Sequence, residues 1–83
     1  MTFDPDFGKV GFARDLFRLR FRRLRIDQPT FAERYGLTFG AVKDQEQGRC
    51  RPGKAMRVLV AAIEIDPKLM ERAAKIAKER WPE

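Results

Sequence analysis

The sequence predicts an all-α fold: a compact five-helix domain over residues 11–83, preceded by a short flexible N-terminal arm, residues 1–10. Three observations predict it. Apolar residues recur at steps of three and four along most of the chain, which is the period of a helix with one buried face. No useful length alternates apolar and polar at every second residue, as a half-buried strand would. Gly and Pro fall between the periodic stretches, where they punctuate helices rather than interrupt them.

Helix one is predicted from Gly11 to Leu24. Val10, Ala13, Phe17, Phe21 and Leu24 form its apolar stripe, with Arg14, Arg18, Arg22 and Arg25 on a neighbouring face. Phe12 and Leu19 fall opposite that stripe and are assigned to a second surface. Asp27 caps helix two, Gln28 to Tyr35, with Pro29 tolerated in its first turn and Gly36 ending it through a left-handed backbone. Thr38 caps helix three, Phe39 to about Gln47, which Gly48 ends. Arg49, Cys50 and Arg51 make a basic loop. Pro52 opens helix four, roughly Gly53 to Glu64, with Ala55, Val58, Leu59, Ala62 and Ile63 inward. Asp66 caps and Pro67 starts helix five, which reaches about Arg80.

Composition removes whole classes of chemistry. The 83 residues include no His, Ser or Asn and one Cys, Cys50. A Ser/His/Asp triad and a Cys/His dyad are therefore impossible. One Cys is too few for a zinc site and cannot form an intrachain disulfide. No convergent acid, base and nucleophile can be named, so no enzyme, metal or cofactor is expected. The opening MTFDPDFGKV lacks a secretory pattern, and the longest apolar run, Val58 to Ile63, is too short for a membrane span. A soluble, cytoplasmic protein is the expectation.

The charge points to a polyanion. The chain carries 18 Lys plus Arg against 12 Asp plus Glu, a formal +6 with a pI near 10.1. From Lys9 to Arg57 there are 13 basic and 5 acidic residues, leaving +8 there and −2 in the remainder. Arg makes most of this excess, and its planar fork suits phosphate better than an ammonium does.

Residues 28–47 carry the most specific pattern. Two short helices meet at a tight turn. Ala32 is small where they would cross, Gly36 supplies positive φ, and Leu37 and Val42 plug the space between them. The stretch DQPTFAERYGLTFGAVKDQEQGRCRP, Asp27 to Pro52, resembles the helix-turn-helix of Cro and λ-repressor-like (XRE-type) regulators, including HigA-type antitoxins. A looser likeness runs through AMRVLVAAIEIDP, Ala55 to Pro67, so that the two cover about half the chain. Members often carry an apolar residue where Gln45 stands, and its amide would need partners here. Many carry an Arg where Phe21 stands, paired with the Glu matching Glu46. In this chain Arg20 can substitute, which predicts a buried Arg20–Glu46 pair.

The resemblance implies a λ-repressor-like fold in which the start of helix three enters the major groove. Its base-contacting residues would be Thr38, Phe39, Gly40, Ala41, Lys43 and Asp44. Lys43 can donate to guanine, Phe39 and Ala41 can touch thymine methyls, and Asp44 can accept from cytosine. Gln28, Arg49, Arg51 and Lys54 would contact the DNA backbone. Helix five carries a wide apolar face, and Met70, Ala77 and Trp81 are assigned to a homodimer interface, since a palindromic operator needs two recognition helices. The function so implied is sequence-specific binding of double-stranded DNA by a transcriptional regulator, a repressor acting by occlusion. An antitoxin that also represses its own promoter, with a toxin protein as partner, is the alternative. A basic module binding acidic membranes or RNA would have no need of the Ala32, Gly36 and Val42 spacing. Cys50 reads as an incidental loop thiol.

Overall fold

The computed structural model describes residues 10–82. The expected arm lies outside the described residues except for Val10, which is exposed and precedes the first helix. Five helices follow in order, with no strand among the described residues. Helix α1 spans residues 11–24: Gly11–Phe17 is α-helical and Arg18–Leu24 continues as π-helix. Then come α2 (Gln28–Tyr35), α3 (Phe39–Glu46), α4 (Lys54–Ile65) and α5 (Pro67–Arg80). None is long and apolar enough to cross a membrane.

The π-helical half corrects the expected face of α1. Leu16 and Leu19 are fully or almost fully buried, and Phe12 and Leu24 pack beside them. Val10 and Phe21, expected inward, are exposed, while Phe17 is buried as expected. Phe12, Leu16 and Leu19 keep helical spacing on one face. An α-helix would bring Arg23 to that face next. The wider i→i+5 turns bring Leu24 instead and leave Arg23 outside. Phe21 is not idle, because its ring stacks on Phe17 with centroids 5.1 Å apart. The helix stops at Arg25, whose backbone is left-handed at φ 56°, and the Arg20 carbonyl accepts the N–H groups of Arg25 and Ile26.

Caps fall where local chemistry dictates. Asp27 Oδ1 accepts the Thr30 N–H at 2.8 Å, Thr38 Oγ1 accepts that of Ala41 at 3.0 Å, and Asp66 Oδ1 accepts that of Leu69 at 3.0 Å. Each satisfies an N–H that the first turn leaves without a helical partner. Gly36, at φ 72°, ends α2, and a Cβ there would only touch Ala74. The chain reaches α3 through Gly36, Leu37 and Thr38 alone. Helix α3 stops at Glu46, one residue earlier than predicted, and Gln47 caps it.

Leu16, Leu19, Phe31, Ala32, Tyr35, Val42, Val60 and Ile63 form the core, with α1 and α2 packed on α3, and α5 on α2 and α4. Helix α4 keeps Leu59, Ala62 and Ile63 inward as expected but departs from the expected face at two positions. Ala55 and Val58 are exposed, and Val60 and Ile63 are buried, with Met56 and Leu59 alongside. An almost continuous apolar run carries no polar mark to set its rotation, so packing sets it. Helix α5 buries no residue. Met70 packs on the core edge, and the ion pairs Lys78–Glu33 (3.3 Å) and Arg34–Glu71 (3.8 Å) link α5 to α2.

Candidate nucleic-acid interface

The α2–α3 unit presents the first turn of α3 outward. Thr38, Phe39, Gly40 and Lys43 are exposed, and Ala41 is half-buried. Thr38 uses its oxygen as the cap, which leaves its hydroxyl hydrogen free to donate outward. Phe39 is half exposed. Nothing lies within 4 Å of a Cβ built on Gly40, so the small residue leaves the helix surface open. The Lys43 ammonium has neither ion-pair nor hydrogen-bond partner among the described residues. Val42 fixes the opposite face of the same turn, fully buried in the core.

Asp44 is half-buried and does not stand alone. Arg49 Nη1 lies 3.5 Å from its Oδ1, and the Arg49 N–H bonds the Asp44 carbonyl at 3.0 Å. Both side chains of that ion pair are well exposed, so it is weak and readily exchanged for a stronger anion. Arg51 and Lys54 are exposed, and their side chains have no hydrogen-bond or ion-pair partner among the described residues; Lys54 is the first residue of α4.

Gln28 is half-buried. Its Nε2 is turned inward and donates to Glu46 Oε1 at 3.1 Å. It joins the most buried charged group among the described residues. Glu46 is 1% exposed, and Arg20 meets it with a two-pronged contact, Nε to Oε2 at 2.6 Å and Nη2 to Oε1 at 2.8 Å. Arg20 Nη1 also donates to the Ile26 carbonyl at 2.9 Å, and its guanidinium lies 5.4 Å from the centre of the Phe17 ring. The expected Arg20–Glu46 pair is thus present, and it does more than join α1 to α3. It pins the α1–α2 corner against the end of α3. Sequence spacing shows which groups need partners, but it cannot show that Gln28 comes within reach of Glu46.

Gln45, the other anticipated misfit, is buried, and its amide is half satisfied. Nε2 contacts Cys50 Sγ at 3.5 Å, while Oε1 is buried without a partner. The Tyr35 hydroxyl is also buried without a hydrogen-bond partner of proper geometry, and burial pushes its pKa up despite the neighbouring Arg34. Asp27 is the opposite case: the Thr30 hydrogen bonds hold its carboxyl below the ordinary value of 3.8.

Met70, Ala77 and Trp81, the expected self-association residues, all line one open groove of about 1600 Å³ between α2 and α5. Met70 is half-buried, Ala77 exposed, and Trp81 is 67% exposed. Leu37 and Leu59 lie in the same groove, and Lys68, Glu71, Arg72 and Lys75 give it a charged rim. No family model matches this chain, and no curated protein or solved structure does either.

Proposed function

We propose that this chain is a λ-repressor-like (XRE-type) helix-turn-helix regulator that binds double-stranded DNA sequence-specifically and represses transcription by occupying a palindromic operator as a homodimer. One observation carries the reading. A short helix, tightly turned from its predecessor and buried on one side through Val42, offers Thr38, Phe39, Gly40 and Lys43 to the outside. Its flanks supply cations at Arg49, Arg51 and Lys54. That combination of a rigidly held outward helix and flanking positive charge suits a major groove between two phosphate strands. Gln28 gives one of its two amide N–H donors to Glu46, so a phosphate at the start of α2 would meet its second amide donor or its main-chain N–H. The α2–α5 groove, apolar along its floor, is the surface on which a second copy docks.

Selection of bound sites from random duplex DNA tests the function directly. Enrichment of a two-fold symmetric site supports it, and a pool that stays random sinks it. With that site in hand, Lys43→Ala weakens operator binding by about 10- to 100-fold, the worth of a good base contact, and binding to random duplex far less. Arg51→Ala weakens both alike and lowers the salt slope by about one unit. Equal losses for Lys43→Ala on both DNAs would remove it from base recognition.

A further inference from the structure

We propose that Arg25 is a phosphate-binding residue, and that with Arg49 and Arg51 it forms a clamp on the backbone of duplex DNA. The inference rests on the DNA-binding reading above and adds a residue that the reading does not contain.

The first observation is backbone strain. Arg25 is the one non-glycine residue with positive φ among those described, at φ 56° and ψ 45°. An L-residue is disfavoured there by contact of its Cβ with the following carbonyl, and glycine is not. The chain uses glycine at the other left-handed positions, Gly11, Gly36 and Gly48. At the end of α1 it keeps a long cationic side chain instead. Strain of this kind is retained where the side chain has a use.

The second observation is that nothing inside the molecule uses that side chain. Arg25 is exposed, and its guanidinium has no hydrogen-bond or ion-pair partner among the described residues. Arg23, by contrast, donates to the Glu64 carbonyl at 2.6 Å, and Arg20 is buried on Glu46.

The third is location. Arg20 holds both Glu46 and the Ile26 carbonyl, and Gln28 holds Glu46 as well, so residues on either side of the corner are tied to the last residue of α3. Arg49 and Arg51 leave that same end of α3 three and five residues later. The corner that carries Arg25 is therefore tied to the end of α3 from which the loop with two more arginines departs. Three exposed planar forks carried on these two tied segments suit a run of phosphates, each of which can accept two N–H groups. Arg25 stands three residues before Gln28, which commits one amide N–H to Glu46.

The test uses the full chain and a short duplex of random sequence, because phosphate contacts do not depend on sequence. Affinity is measured between about 50 and 200 mM salt, and folding stability by urea denaturation, for wild type, Arg25→Gly and Arg25→Lys. Arg25→Gly is expected to raise the folding equilibrium constant by about fivefold, because strain is relieved. The same variant is expected to lose about tenfold in affinity and about one unit of salt slope. Arg25→Lys keeps the slope and loses only a few-fold, since charge survives and the fork does not. Opposite movement of stability and affinity is the signature, for a purely structural Arg25 would not move the salt slope. Wild-type binding with an unchanged Arg25→Gly affinity and slope overturns this proposal and leaves the DNA-binding reading intact. A wild-type chain that binds no duplex overturns both.

Discussion

Glu46 is the residue on which most depends. A carboxylate so deeply buried survives only because Arg20 meets both of its oxygens and Gln28 adds a further donor. Removing water from two charges costs several kcal/mol each, and the pair offsets this only while both members are present. Glu46→Ala strands the Arg20 charge and is expected to destabilise the fold by about 3–5 kcal/mol in urea denaturation. Replacing both partners together, Arg20→Met with Glu46→Leu, is expected to restore most of that stability. If the double variant is as unstable as the single one, the pair is not the unit that matters. Gln45, its neighbour, shows the reverse economy: a buried amide oxygen without a partner, in a position where an apolar side chain would leave nothing unsatisfied.

At the scale of elements, caps and faces behave differently. Asp27 illustrates the first. Its hydrogen bonds to Thr30 favour the ionised carboxyl and lower its pKa. A lowered folded-state pKa means that stability is fully present above the ordinary value of 3.8 and is lost as pH falls through the folded value. Asp27→Asn keeps a capping oxygen without a charge, so it is expected to match wild type closely near neutral pH and to lose less stability below pH about 4. An acid-unfolding curve identical to wild type would show that the cap carries no such linkage.

Helix boundaries were legible because capping is local. Asp27, Thr38, Asp66 and Gly36 act on atoms within a few residues, and all four stand where sequence places them. Helix faces were not equally legible. In α1 two apolar series compete, one through Phe17 and Phe21 and one through Leu16 and Leu19, and packing on α3 buries the second with Phe17 while leaving Phe21 out. In α4 the apolar run hides its own rotation, and Val58 stays outside, 69% exposed. The candidate interface divides in the same way. The exposed turn of α3 followed from the Gly36 and Thr38 pattern, whereas the inward turn of Gln28 depends on an 18-residue contact that spacing does not encode.

For the molecule as a whole, α5 is the least committed part. It buries none of its residues, and its links to α2 are exposed ion pairs worth little on their own. Leu69, Ile76 and Trp81 remain open to water. A chain of this size with so small a core is marginal alone, and a second copy laid along the α2–α5 groove would cover that apolar area. Association of that kind follows mass action, so the thermal midpoint is expected to rise with protein concentration. Trp81 is the single tryptophan, and its emission is expected to shift to longer wavelength on dilution as it returns to water. A midpoint and emission unchanged across a hundredfold dilution, in a protein that sediments as a monomer throughout, would dispose of the groove as a self-association surface.

The π-helical stretch Arg18–Leu24 bears on how a chain like this can change in length. Its broad turns take up one more residue than a regular helix needs to bring Leu24 onto the face of Phe12, Leu16 and Leu19. Loss of one residue between Leu19 and Leu24, Arg22 for instance, would put that leucine at the next inward position of a 3.6-residue repeat. The segment is thus a slack coil in an otherwise taut frame. It is the place where the spacing between the N-terminal residues and the α1–α2 corner can be adjusted by a single residue while the same leucines still meet the core.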